Sequence, residues 1–158
     1  TLQCARLNKI IGPETFTGSL LLLPNSCRLT EFTLEGISNI QGDFQCKDYF
    51  YVKEFVMPFI RVAGNMTIAL NSGSVDTGAE IEFPKLQEIG GTLTLENNTN
   101  ANNITFPSLK KILGSCSVTT DFLKNDIEFT SLESIGTDGA NTQIEFKIDV
   151  TNILCPKF

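Results

Sequence analysis

Two glutamates fall at matching positions of a repeated segment. Glu82 in Ile81-Glu-Phe83 and Glu128 in Ile127-Glu-Phe129 have Thr105 in the copy between them. If the copies stack as neighbouring strands, two steps place the carboxylates about 10 Å apart. That is near the upper edge of the separation used by inverting glycoside hydrolases. The bland alternative, two solvated carboxylates keeping a sheet face soluble, fits at least as well, and it is the one adopted. No histidine occurs in the 158 residues, which removes His-based triads, Cys–His dyads and His metal sites. No catalytic, cofactor-binding or metal-binding residue is therefore assigned, and an enzyme is not expected.

Other residue types point to covalent modification and contact. Asn65-Met-Thr, Asn97-Asn-Thr and Asn103-Ile-Thr are N-glycosylation sequons, with Asn97 and Asn103 expected on loops. Five cysteines, Cys4, Cys27, Cys46, Cys116 and Cys155, are widely spaced and form no Cys-x-x-Cys pair. Such spacing suits disulfide staples in an oxidising compartment. Asp48-Tyr-Phe-Tyr-Val-Lys53 is the aromatic cluster, and alternation would turn Tyr49 and Tyr51 to one side as a contact patch for a protein or sugar.

Twelve Lys plus Arg against eighteen Asp plus Glu give a net charge of −6. Neither nucleic acid nor an anionic membrane is an expected partner of so acidic a chain. The longest apolar run, Leu20 to Leu23, is far too short to cross a bilayer. With 41% hydrophobic residues, the chain can bury a core as one domain.

These groups must be held by a repeating scaffold. Ile81, Ile104 and Ile127 recur at a step of 23, as do Phe83, Phe106 and Phe129; Leu86, Leu109 and Leu132; and Ile89, Ile112 and Ile135. Gly18, Gly42, Gly64, Gly91 and Gly114 mark the next segment, each followed by apolar residues two and four positions on. Alternation at period two is a half-buried strand, and its outward slots hold short polar residues such as Asn65, Thr67, Thr92 and Thr94. About 23 residues are too few for a helix plus two strands with their connections. They suit one coil of a right-handed parallel β-solenoid, so the chain is expected to be all-β with about 5–6 coils. A prolyl residue after the first strand, at Pro58, Pro84 and Pro107, ends the ladder and helps turn the chain. The second coil is expected to be one residue short between Ile60 and Gly64.

On this plan residues 1–30 are an N-terminal cap and first coil, 31–136 the regular coils and 137–158 a C-terminal cap. A Cys4–Cys27 bridge would pin the N-terminal cap over Leu20 and Leu22, and Cys155 would reach back toward Cys116. Cys46 lies three coils from Cys116, about 14 Å at the strand spacing, which excludes a bond between them. Cys46 is read as a buried thiol filling a small apolar slot. An ice-binding face would need a regular Thr-x-Thr array, and Thr92-x-Thr94 alone fits that pattern.

Phe83-Pro-Lys-Leu-Gln-Glu-Ile-Gly-Gly-Thr-Leu-Thr-Leu95 and Phe106-Pro-Ser-Leu-Lys-Lys-Ile-Leu-Gly-Ser-Cys-Ser-Val118 resemble receptor L-domain repeats. These are the ligand-binding β-solenoids of insulin- and epidermal-growth-factor-type receptors. The chain is most similar to the version in fungal GPI-anchored cell-wall proteins of the sporulation and wall-maintenance group. The resemblance covers about residues 4–155 and departs at Thr137, which replaces the last glycine. It implies a secreted, non-catalytic binding or structural module at the cell surface or wall, whose partner is a protein or wall polysaccharide. It also implies a lipid anchor in the precursor, an expectation from the resemblance alone, as this sequence shows no hydrophobic tail or small-residue anchor site. A carbohydrate-active solenoid using Glu82 and Glu128, or a receptor ectodomain fragment, are the competing readings.

Overall fold

The computed structural model describes residues 9–22, 33–47, 54–69, 79–98, 101–120, 127–137, 144–148 and 153–154. Among these residues every regular element is a strand, and every strand pairing is parallel. No helix among them is long and apolar enough to cross a membrane.

The chain winds as a β-solenoid. The first turn holds β1 (Lys9–Ile11), β2 (Thr15–Phe16) and β3 (Leu20–Leu22). The second holds β4 (Thr33–Glu35), β5 (Asn39–Ile40) and β6 (Phe44–Lys47). Next come β7 (Glu54–Val56), β8 (Arg61–Val62) and β9 (Met66–Ala69), followed by β10 (Ala79–Glu82), β11 (Glu88–Ile89) and β12 (Leu93–Glu96). The fifth turn holds β13 (Ala101–Thr105), β14 (Lys111–Ile112) and β15 (Cys116–Thr120). The chain then runs through β16 (Ile127–Glu128), β17 (Ser134–Ile135), β18 (Ile144–Ile148) and β19 (Ile153–Leu154).

Three faces result. The first is a five-stranded sheet of β7, β10, β13, β16 and β19. The second and third are six-stranded sheets, built on β2, β5, β8, β11, β14, β17 and on β3, β6, β9, β12, β15, β18. Four turns, from β7 to β18, have strands on all three faces; the two before them start in a separate two-stranded ribbon, β1 with β4.

Register follows the repeat. Ile81 pairs with Ile104 and Ile104 with Ile127, while Leu93 pairs with Cys116 and Leu95 with Val118. The inward columns are fully buried, Phe83, Phe106, Leu86, Leu109, Ile89 and Ile112 among them. Phe83 and Phe106 stack with centroids 5.0 Å apart, and Phe106 and Phe129 with centroids 5.1 Å apart. A sequence step of 23 has thus become a step of one strand spacing.

The Phe-Pro-x-Leu motif is a tight turn at the corner between the first and second faces. The N–H groups of Leu86, Leu109 and Leu132 each donate to the carbonyl of the phenylalanine three residues earlier, at 3.4 Å. Proline after the phenylalanine suits this turn because its φ is preset. Ser108 and Thr130 hydroxyls then donate across to the carbonyls of Pro84 and Pro107 in the preceding turn.

The expected shortening between Ile60 and Gly64 is misplaced. The Gln87 N–H donates to the Ile60 carbonyl and the Gly91 N–H to the Gly64 carbonyl, so the two spans have equal length. The missing residue lies earlier, at the Pro58 turn, where Met57 and Phe59 flank one residue and Phe83 and Leu86 flank two.

Candidate functional site

The third face is built from the residues that follow each corner glycine. The N–H of Gly64, Gly91 and Gly114 each donates to the carbonyl of the glycine one turn before, at 3.0, 2.9 and 3.0 Å. A Cβ on Gly114 would lie 2.7 Å from the Gly91 carbonyl carbon, so this column needs glycine for close backbone approach, not for a left-handed φ.

Beside the glycines runs a column of side-chain acceptors. Ser19 Oγ accepts from Asp43 N–H, Asp43 Oδ1 from Asn65 N–H, Asn65 Oδ1 from Thr92 N–H and Thr92 Oγ1 from Ser115 N–H. The distances are 3.0, 2.7, 2.9 and 3.4 Å. Each turn therefore supplies a partner for a backbone donor of the next, where the strand ladder has not yet begun. Sequence reasoning read these positions only as a solvated sheet face. Their shared chemistry, an oxygen acceptor in every turn after the glycine, was the signal for a structural column.

The second outward column of this face runs from Leu21 to Glu145, with Gln45, Thr67, Thr94 and Ser117 between them in strict register on neighbouring strands. These four are half-buried and uncharged. Next to them Lys47 reaches over Ala69 to Glu96, with Nζ and Oε1 3.4 Å apart. The small Ala69 lets the two long chains meet and is itself only 3% exposed.

The other faces differ in charge. On the first, Glu80 is in register with Glu54, and Glu82 with Val56 and Thr105. Thr105 is in turn opposite Glu128, so Glu82 and Glu128 sit two strands apart, as expected from the repeat. Among the described residues no group of three or more acidic or cysteine side chains could hold a metal ion. On the second face Arg61 Nε donates to Glu88 Oε1 at 2.8 Å, beside a shallow depression lined by Ile60, Gln87, Lys110 and Lys111. That depression was not foreseen: with Asn39 its lining comes from four turns, at equivalent positions whose residue types differ from turn to turn.

The sequons separate. Asn65 is exposed at the corner before β9, and Asn97 is exposed just after β12 with φ at 54°. Asn103 is not on a loop as expected; it lies within β13, half-buried, with Nδ2 donating to Glu80 Oε2 at 2.9 Å. Asn102 Nδ2 donates to the other oxygen of Glu80 at 3.2 Å. These two amides compensate the carboxylate that faces Glu54 across the strand pair. Asn98, the buried polar residue of the described core, donates from Nδ2 to the Ile68 carbonyl at 3.0 Å.

Cys46 and Cys116 are both buried in inward columns three strands apart. Cys4, Cys27 and Cys155, and the tyrosines Tyr49 and Tyr51, lie outside the described residues.

Comparison with known protein families, with curated proteins and with solved structures finds no match to this chain.

Proposed function

We propose that this chain is a non-catalytic binding or structural module working outside the cell, at its surface or in its wall. Its partner on this reading is a protein or a wall polysaccharide laid along a rigid sheet face. The observation that supports it is the third face: between Leu21 and Glu145, the side chains of Gln45, Thr67, Thr94 and Ser117 form an in-register row of uncharged hydrogen-bonding groups. A fully buried core beneath fixes their spacing, so little side-chain entropy is lost when a repetitive, hydroxyl-rich chain docks.

The finer fold reading belongs to the same proposal. It is a right-handed receptor L-domain-type solenoid of five to six coils, capped by Cys4–Cys27 and Cys116–Cys155 bridges. The Phe-Pro-x-Leu turns at Phe83 and Phe106, each followed by a Gly-x-apolar-x-apolar strand, support it. Asn65, Asn97 and Asn103 are the sequons such a secreted chain offers for glycosylation, Tyr49 and Tyr51 a further contact patch, and an anchor would belong to the precursor.

The test is retention of purified chain on immobilised wall polysaccharides and a glycan array, with detection of released products. Retention without products, lost in Thr94→Lys with an unchanged urea midpoint, is the expected result. Product release abolished by Glu82→Gln or Glu128→Gln would overturn it in favour of a carbohydrate-active enzyme. Capture of a soluble protein ligand with no polysaccharide retention would favour a receptor ectodomain.

A further inference from the structure

The three sequons are equivalent in motif but not in surroundings. We infer that Asn65 and Asn97 are the modified asparagines and that Asn103 keeps an unglycosylated amide as a strut for Glu80. The inference rests on the secretory reading above and narrows it to particular residues.

N-glycosylation joins the asparagine Nδ2 to the C1 carbon of a sugar. The bond from C1 to the pyrophosphate of a lipid-linked oligosaccharide donor breaks, and Nδ2 gives up one proton. The acceptor must therefore present Nδ2 at an accessible position, which is why used sequons lie on surface loops. Asn65 meets this condition. It is exposed at a corner, and Thr92 N–H engages the Oδ1 edge of its planar amide, leaving the Nδ2 edge for the sugar. Asn97 meets it too, exposed in a left-handed turn position that asparagine tolerates well.

Asn103 does not. Its backbone stands in β13, which pairs with β10 at Asn103 itself and with β16 from Ile104. Its Nδ2 donates to Glu80 Oε2, and the Glu80 carboxylate lies in register with that of Glu54. A sugar on Nδ2 would replace one of its hydrogens, add bulk on the sheet face beside Glu80 and weaken the hold on a carboxylate already facing a like charge. Thr105, the third residue of the sequon, is fixed in the same strand between Glu82 and Glu128. The two glycans would then stand at opposite ends of the third-face strands, one at the corner between β8 and β9 and one just after β12.

The chain should be expressed behind a secretion signal in a eukaryotic host. Enzymatic deglycosylation in heavy-oxygen water, followed by peptide mass mapping, then marks each formerly glycosylated asparagine. Label at Asn65 and Asn97 with little or none at Asn103 is expected. Substituting Glu80→Ala, at the sheet surface, should raise labelling at Asn103 several-fold, because its amide is released. Label at Asn103 equal to that at Asn65 in the unsubstituted chain would overturn the assignment while leaving the secretory reading intact. Label nowhere would overturn both.

Discussion

From Ala79 onward the turns are wide enough to seat stacked phenylalanines, whereas those between Lys9 and Ala69 are not. Between the inward residue of the first strand and the inward residue of the corner, the fourth turn has four residues, Glu82 to Lys85. The third turn has three, Val56 to Pro58, and the second only two, Glu35 and Gly36, between Leu34 and Ile37. The register is secured by Ile60 N–H donating to the Ser38 carbonyl and Gln87 N–H to the Ile60 carbonyl. The second turn thus has no slot for the Phe-Pro pair, and it closes through Gly36 at φ 81°.

The volume is made up from elsewhere. Phe44, on the third face of the second turn, meets Phe59 at 4.8 Å with planes 69° apart and Phe83 at 6.5 Å with planes 75° apart. In the wide turns the Phe83–Phe106 and Phe106–Phe129 planes lie within 5° and 4° of parallel. Equal residues in equal slots stack as a ladder; unequal turn lengths force edge-on packing. The lesson is that repeat length sets how aromatic rings meet, because the core must be filled at constant density.

The deepest cut into this contrast is Phe106→Ala. It removes the middle ring of the stacked column and should cost about 3–5 kcal/mol, seen as a lower urea midpoint with little change in slope. Loss well under 1 kcal/mol would show that the column is not the spine of the wide turns. Gly36→Ala comes next, with an expected cost of about 1–3 kcal/mol, since φ 81° disfavours a Cβ that would also meet the Gly12 carbonyl. Gly114→Ala should cost a similar amount through backbone collision alone. A neutral result at Gly36 but not Gly114 would mean that the narrow turns relax where the wide ones cannot.

Asn98→Ala leaves the buried Ile68 carbonyl without that donor and should cost about 1–3 kcal/mol, with faster amide exchange around β9 and β12. The smallest effect is expected at Lys47→Ala. Its partner Glu96 is partly solvated, so the thermal midpoint should move little and the shift should shrink further in high salt.

Much of this was legible before any coordinates. The columns of Ile81, Phe83, Leu86 and Ile89 with their copies were readable because a solenoid converts sequence period directly into spatial neighbourhood. The carboxylate spacing of Glu82 and Glu128 followed from the same rule. The Pro58 gap was misplaced because apolar spacing alone allowed more than one alignment of that turn with Phe83 to Leu86. Asn103 was assigned to a loop because an asparagine-rich stretch reads as irregular, while β13 forms there through backbone pairing with β10 and amide contacts to Glu80.

What the order of residues determined is which side chains share a column: a step of about 23 with period-two alternation has one parallel stacked solution that buries the apolar set. What only the tertiary structure decided lies between columns. Phe44 edge-on to Phe59, Lys47 arched over Ala69 to Glu96, and Glu80 held by Asn102 and Asn103 all join different slots of different turns. Their geometry depends on corner lengths and chain path, and a repeat period has no information about either.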